Sequence, residues 1–211
     1  MTGNWLYTGG QVLCRLFTTT QFDLKVKGVK NIPRTGGAII ASNHQSLLDP
    51  VLIGVQVPRP FTYLAKSDLF VNPYLSWLIR SLYAFPVQQE RGEISAVREA
   101  IRRLQEGRAL VLFPEGSRTV NGELLPLEPG IGLIARKADV PIVPCVIHGS
   151  FEAWPKGHKL FRPGKIRVHF GRAMHVNHLK ASEIVREVGQ TMHRMFDQLR
   201  SETLLEQPWQ S

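Results

Sequence analysis

The chain has 211 residues, of which 43% are hydrophobic and 20% charged, and its net charge is +9. This profile fits one globular domain with a hydrophobic core and excludes a disordered or fibrous chain. We expect no membrane-spanning helix, because no apolar run is long enough, and the first residues lack the pattern of a secretory signal. Cys14 and Cys145 form no zinc motif or disulfide framework, which favours free thiols in a reducing, cytosol-facing compartment.

Residues 1–20 mix aliphatic and aromatic side chains with small polar ones. This pattern predicts a short amphipathic element, which either packs on the core or contacts a membrane. Farther along, Asp49 and Pro50 are the residue types preferred at a helix N-cap and at the first helical position. Alternation or short apolar runs predict strands at residues 22–29, 38–41, 61–65, 85–87, 109–113, 141–147 and 165–170.

The clearest helix covers residues 92–106, where an apolar stripe repeats every three or four residues at Ile94, Val97, Ile101 and Leu104. Further helices are predicted at residues 68–83, 130–138 and 182–199. Strands that alternate with helices indicate an α/β fold with a largely parallel central sheet flanked by helices. The chain is therefore divided into the N-terminal element at 1–20, a domain at 21–175, and a C-terminal helical region at 176–211 that packs on the same domain.

Basic residues are concentrated in residues 153–182, which contain seven lysines and arginines and no acid. A segment of one sign indicates an anionic partner, and nucleic acid, anionic lipid and a phosphorylated substrate all remain open. A basic nucleic-acid-binding domain is therefore one alternative function. It leaves the polar clusters described next unexplained, and the chain has no recognised nucleic-acid-binding motif.

The first polar cluster follows the 38–41 strand and contains His44 and Asp49. Residues five apart lie about 140° apart around a regular helix, so these two side chains meet only if the intervening segment turns. In that case the carboxylate would orient the imidazole, and the other ring nitrogen would take a proton from a substrate. Otherwise Asp49 only caps a helix and His44 is an ordinary loop histidine.

The second cluster, residues 113–118, follows the 109–113 strand. Gly116 allows close backbone approach, and backbone N–H groups, the Ser117 hydroxyl and the Arg118 guanidinium would together form an anion cradle. A simple β-turn with a surface ion pair is the alternative. In a third cluster, Arg91 precedes the 92–106 helix, whose N-terminus could help it to hold a phosphate.

The chain resembles the glycerolipid acyltransferase family, of the PlsC-like 1-acylglycerol-3-phosphate (lysophosphatidic acid) acyltransferase type. His44 and Asp49 match the His-x4-Asp motif of that family. The resemblance covers residues 24–170 and rests on three motifs in the same order: Asn43-His44-x-Ser46-x-x-Asp49, Phe113-Pro114-Glu115-Gly116-Ser117-Arg118 and Val140-Pro141-Ile142-Val143-Pro144.

The resemblance implies an O-acyltransferase of phospholipid biosynthesis. His44 would act as general base on a glycerol hydroxyl, with Asp49 orienting the imidazole. The hydroxyl would attack the thioester of acyl-CoA or acyl-carrier protein directly, so no nucleophilic serine or cysteine, no cofactor and no metal is expected. The acceptor would be a lysophospholipid, above all 1-acylglycerol-3-phosphate, which becomes phosphatidate. Its binding residues would be Glu115, Gly116, Ser117, Arg118 and Arg91.

Two positions depart from the family pattern. Gln89 stands where members often have an arginine, and Glu128 stands where they often have a lysine. Both changes remove a cation near the expected phosphate site, so another lysophospholipid or an acyl-accepting amino lipid remains open as the acceptor. Because the acceptor is a lipid, we expect a peripheral protein on the cytoplasmic face of a membrane. Residues 1–20, 68–83 and 153–182 are the candidates for contact with the membrane surface. Ordinary core packing of 68–83, and attraction of the phosphates of acyl-CoA by 153–182, remain open as alternatives. No nucleic-acid partner is expected.

Overall fold

The computed structural model describes residues 5–57, 59, 61–66, 84–87, 92–158 and 160–206. Seven strands form one sheet in the order β1-β7-β6-β2-β5-β3-β4. They are β1 (Asp23–Lys27), β2 (Ala38–Ser42), β3 (Phe61–Lys66), β4 (Ala84–Val87), β5 (Ala109–Leu112), β6 (Ile142–His148) and β7 (Lys165–Phe170). The helices are α1 (Trp5–Gln21), α2 (Asp49–Gly54), α3 (Gly92–Gln105), α4 (Gly130–Ala138), α5 (Ser150–Ala153) and α6 (Ala181–Leu205).

The sheet is largely parallel, as predicted. Strands β2 to β6 run in one direction, whereas β7 is antiparallel to β6 and parallel to β1. The reversal was not predicted. The segment between β6 and β7 contains only the four-residue helix α5 instead of a long crossover helix, so the chain returns beside β6 in the opposite direction.

Both faces of the sheet are covered, which explains why every residue of the central strand β2 is buried. Leu52 and Ile53 of α2 pack on one face of the sheet, where they share a hydrophobic cluster with side chains of β3. Helices α3, α4 and α6 pack on the other face, where α6 buries an apolar stripe of Ile184, Val188, Met192, Met195 and Leu199.

The predicted apolar stripe of α3 is not buried along its whole length, and the prediction is wrong for the first turn of the helix. Ile94 is 68% exposed, whereas Ala100 and Leu104 are buried against the sheet. Helical periodicity identifies the apolar face of a helix, but the neighbouring elements decide which turns of that face are covered. The predicted helix at 68–83, Arg91 and Lys159 all lie outside the described residues.

The basic segment at 153–182 is partly neutralised by the chain itself. Arg167 is buried, and its guanidinium forms ion pairs with Asp23 at 2.8 Å and with Glu206 at 2.5 Å. The interpretation that this segment as a whole requires an anionic partner is therefore wrong for Arg167. Lys156 and Arg162 are exposed and remain available to a partner.

The sheet brings the predicted polar clusters together. Strand β2 lies between β5 and β6 and is parallel to both. The loops that follow these three strands therefore leave the same edge of the sheet, where α/β folds place their binding sites. None of the helices in the described ranges is long and apolar enough to cross a membrane.

Candidate active site

Asp49 organises the loop between β2 and α2. It is the first residue of α2 and the N-cap is Leu48, so the prediction of Asp49 as the cap is wrong. Its Oδ2 accepts hydrogen bonds from the backbone N–H groups of Gln45 at 2.6 Å and Ser46 at 2.7 Å. The carboxylate thus points back into the preceding loop and makes the segment turn.

This turn brings His44 onto Asp49. The His44 Nδ1 lies 2.9 Å from the Asp49 Oδ2, and the Asp49 side chain is fully buried whereas that of His44 is 19% exposed. Because a carboxylate only accepts hydrogen bonds, Nδ1 is the donor, and in the neutral ring Nε2 then carries a free lone pair. The His44 ring stacks on Phe113 with ring centroids 4.1 Å apart, which fixes the direction of Nε2.

Glu115 is buried beneath the same loop. Its Oε2 accepts from the His44 backbone N–H at 3.4 Å, and a second backbone N–H, that of Leu125, also bonds the carboxyl group. Burial raises the pKa of Glu115 to about 8, the negative charge of Asp49 adds to the rise, and the two N–H groups oppose it. Glu115 therefore carries a proton over much of the neutral range and positions the main chain of His44.

The Glu115–Arg118 segment forms a turn at the edge of this site. The Gly116 N–H donates to the Phe113 carbonyl, so it is not available to an anion as the cradle prediction required. Gly116 has φ +69°, which favours glycine, and Ser117 beside it is exposed. Arg118 is half-buried, and its guanidinium makes no ion pair with any described residue. Of the predicted cradle, the Ser117 hydroxyl and the Arg118 guanidinium remain available to an anion.

Two amides that the sequence motifs contained, but to which no role was given, hold the site together. The Asn43 side chain donates to the Ile147 carbonyl at 2.9 Å and accepts from the Ile147 N–H at 2.8 Å, so it continues the β2–β6 pairing past the end of β2. Gln45 donates to the Gly122 carbonyl and accepts from the Ser150 hydroxyl. A signal was present, since Asn43 and Gln45 lie within three residues of the end of a buried strand.

A cysteine nucleophile does not fit this site. Cys145 is buried in β6, and burial raises the pKa of its thiol far above the usual range. Within the described ranges, no three histidine, cysteine or acidic side chains are grouped so that they could hold a metal ion. The geometry places an imidazole against a buried carboxylate, and Arg118 lies in the turn that follows the neighbouring strand.

Residues 23–148 match the family model described as Acyltransferase, a range that includes His44, Asp49 and the Glu115–Arg118 turn. The chain belongs to this acyltransferase family. A protein of Bacillus subtilis named 1-acyl-sn-glycerol-3-phosphate acyltransferase is 30% identical over 84% of the chain and 88% of its own length. A protein of the same name from Streptococcus pneumoniae is 31% identical over 78% of the chain and 61% of its length.

The solved structures agree with this family assignment. The structure of the 1-acyl-sn-glycerophosphate (LPA) acyltransferase PlsC from Thermotoga maritima matches with a TM-score of 0.80 and 29% identity. The match covers 92% of this chain and 79% of the Thermotoga chain. The relatives named here are O-acyltransferases, and the α/β fold with its C-terminal helix is shared with the Thermotoga enzyme.

Proposed function

We propose that this acyltransferase moves an acyl chain from a thioester, acyl-CoA or acyl-carrier protein, to the free hydroxyl of 1-acylglycerol-3-phosphate. The product is phosphatidate, in phospholipid biosynthesis. The observation that carries the proposal is the 2.9 Å contact between His44 and the buried Asp49 at the end of β2. The names of the relatives support the same acceptor.

In the proposed reaction, the acceptor hydroxyl attacks the thioester carbonyl carbon while His44 Nε2 takes its proton. The resulting imidazolium is stabilised by Asp49, which stays ionised. The tetrahedral intermediate then collapses with cleavage of the C–S bond, and the proton passes from Nε2 to the leaving thiolate. One ester is formed and one thiol is released, without a covalent acyl-enzyme.

The acceptor end of the site is assigned to the Glu115–Arg118 turn. Arg118 would bind the phosphate through its planar fork of donors, and the exposed Ser117 hydroxyl would add a hydrogen bond. Glu115 would support the site indirectly, because its buried carboxyl group accepts a hydrogen bond from the His44 backbone N–H and so positions that residue. Arg91 stays a predicted phosphate contact.

The proposed location is the surface of a membrane, because the acceptor and product are lipids. One face of α1 exposes an apolar stripe at Val12, Leu13 and Leu16, each more than half exposed. Phe17 of the same helix packs edge-on against Phe161, and Leu160, the residue before Phe161, is 79% exposed. Exposed apolar groups of this kind insert into the headgroup region of a bilayer.

This apolar surface is connected to the catalytic loop. The Ser46 hydroxyl donates to the carbonyl of Trp154, which begins the loop that contains Leu160. Lys156 and Arg162 are exposed on the same loop, and each basic residue near an anionic surface contributes about 1 kcal/mol to binding. Docking through this surface, at the cytoplasmic face, would bring the bilayer close to the loop that contains His44.

The proposal is tested by acyl transfer in detergent micelles that contain a radiolabelled acyl-CoA and 1-acylglycerol-3-phosphate, with the lipid product separated by thin-layer chromatography. We expect His44→Ala to lower turnover by at least about 10²-fold, the scale of a lost general base. His175→Ala is the matched control, because His175 is exposed and lies outside the site. Turnover of His44→Ala at the wild-type rate would exclude the mechanism.

A further inference from the structure

Glu128 lies directly over the turn that is proposed to bind the acceptor. Its backbone N–H donates to the Pro114 carbonyl at 2.7 Å, which holds it against the turn. A methyl group built on Gly116 would lie 3.4 Å from the Glu128 Cγ and 3.8 Å from its Oε1. The carboxylate is therefore close to the backbone that an acceptor headgroup must approach, at the position where family members often carry a lysine.

Two opposite charges thus border the same turn without neutralising each other. Arg118 follows Gly116 by two residues, and Glu128 contacts Gly116 from the segment before α4. In the described part of the chain, neither side chain takes part in an ion pair or a side-chain hydrogen bond. A ligand that carries both an anion and a cation would satisfy both groups at once.

We propose that Glu128 determines acceptor specificity by binding an ammonium group on the headgroup while Arg118 binds the phosphate. The site would then accept, besides 1-acylglycerol-3-phosphate, lysophospholipids whose phosphodiester bears an ammonium group, as in phosphoethanolamine. This inference rests on the proposed function, since it takes this turn as the acceptor site. The same carboxylate repels a phosphomonoester dianion, so 1-acylglycerol-3-phosphate is bound less tightly than it would be with a lysine at position 128.

The experiment compares three short-chain acceptors, used below their critical micelle concentrations. They are 1-acylglycerol-3-phosphate, 1-acylglycerol-3-phosphoethanolamine (the phosphoethanolamine ester) and 1-acylglycerol-3-phosphomethanol (the phosphomethanol ester). The phosphomethanol ester keeps the phosphodiester but lacks the ammonium group. We expect Glu128→Gln to lower kcat/KM for the phosphoethanolamine ester about tenfold relative to the phosphomethanol ester. Glu128→Lys should also raise kcat/KM for 1-acylglycerol-3-phosphate, whereas Glu128→Asp should retain the wild-type preference.

The matched control is Glu123→Lys, which makes the same charge change in the same loop. Glu123 is exposed and pairs with Arg200, away from Gly116. A general effect of charge on lipid binding would change this variant and Glu128→Lys alike. A purely structural role of Glu128 before α4 would lower turnover of all three acceptors equally. Either result, or unchanged ratios in Glu128→Gln, overturns the inference.

Binding separates this inference from the proposed function. Equilibrium dialysis of the three lysolipids against His44→Ala, with and without Glu128→Gln, measures headgroup selection without turnover. If the wild type does not acylate 1-acylglycerol-3-phosphate, the proposed function fails, while the binding ratios still decide the role of Glu128. If turnover depends on His44 but the ratios of lysolipid binding are the same with and without Glu128→Gln, the function stands and the inference fails.

Discussion

Replacing Glu115 by glutamine should remove a pH dependence that this buried carboxyl imposes on stability. Burial is the main reason that its pKa lies at about 8 in the folded protein, against an ordinary value of 4.5. Between these two pH values the folded state keeps a proton that the unfolded state releases. The free energy of unfolding therefore falls as the pH rises through this window. Below the window Glu115 is protonated in both states and adds no pH dependence.

The size of the effect follows from the two pKa values. One pH unit inside the window changes the free energy of unfolding by up to about 1.4 kcal/mol, so the wild type should lose about 3 kcal/mol between about pH 5 and pH 8. Glutamine resembles the protonated carboxyl, and its carbonyl oxygen can still accept the N–H of His44. Glu115→Gln should match the wild type near pH 5 and exceed its stability by about 3 kcal/mol near pH 8.

The measurement is urea unfolding of both proteins at several pH values, followed by far-ultraviolet circular dichroism. The difference between the two proteins isolates Glu115, because the other titratable groups are common to both. Glu123→Gln, at an exposed ion pair, serves as the control and should differ from the wild type by a constant small amount. A constant difference for Glu115→Gln would mean that Glu115 is ionised in the folded protein, and the reasoning would be refuted.

Two further predictions concern binding. Arg118→Lys should raise the KM for a phosphorylated acceptor about tenfold and more than the KM for the acyl donor, because an ammonium replaces a bidentate guanidinium; an equal rise for both substrates would place Arg118 outside the acceptor site. The protein should float with anionic vesicles and detach at high salt. Lys156→Glu with Arg162→Glu, or Leu13→Ser with Leu16→Ser, should reduce flotation and spare turnover of a detergent-dissolved acceptor. Unchanged flotation in both double variants would exclude the proposed membrane surface.

Much of the fold could be predicted because the signals are local. Short apolar runs at 38–41 and 109–113 predicted β2 and β5 to within one residue at their ends. Such runs are typical of strands covered on both faces, and that property can be recognised without knowing the neighbours. The direction of β7 and the exposure of Ile94 carried no local signal, because both depend on which elements pack alongside.

The positions of the chemical groups were also readable from the chain alone. His44 and Asp49 follow one buried strand, Glu115 to Arg118 follow another, and parallel strands place such loops at one edge. That the first two side chains touch was left open by their spacing. The contact exists because backbone N–H groups of the loop converge on the Asp49 carboxylate and turn it toward His44.

Contacts between residues far apart in the sequence determine the features of the site that the motifs could not predict. Asn43 pairs with Ile147, 104 positions away, and Glu128 reaches Gly116 across an intervening loop. The pKa of Glu115 is raised because the assembled protein excludes water from its carboxyl group, and no neighbour in the sequence could have indicated this. Residue types and their spacing along the chain specify which groups are available, whereas the order of strands in the sheet determines which of them meet and how much water surrounds them.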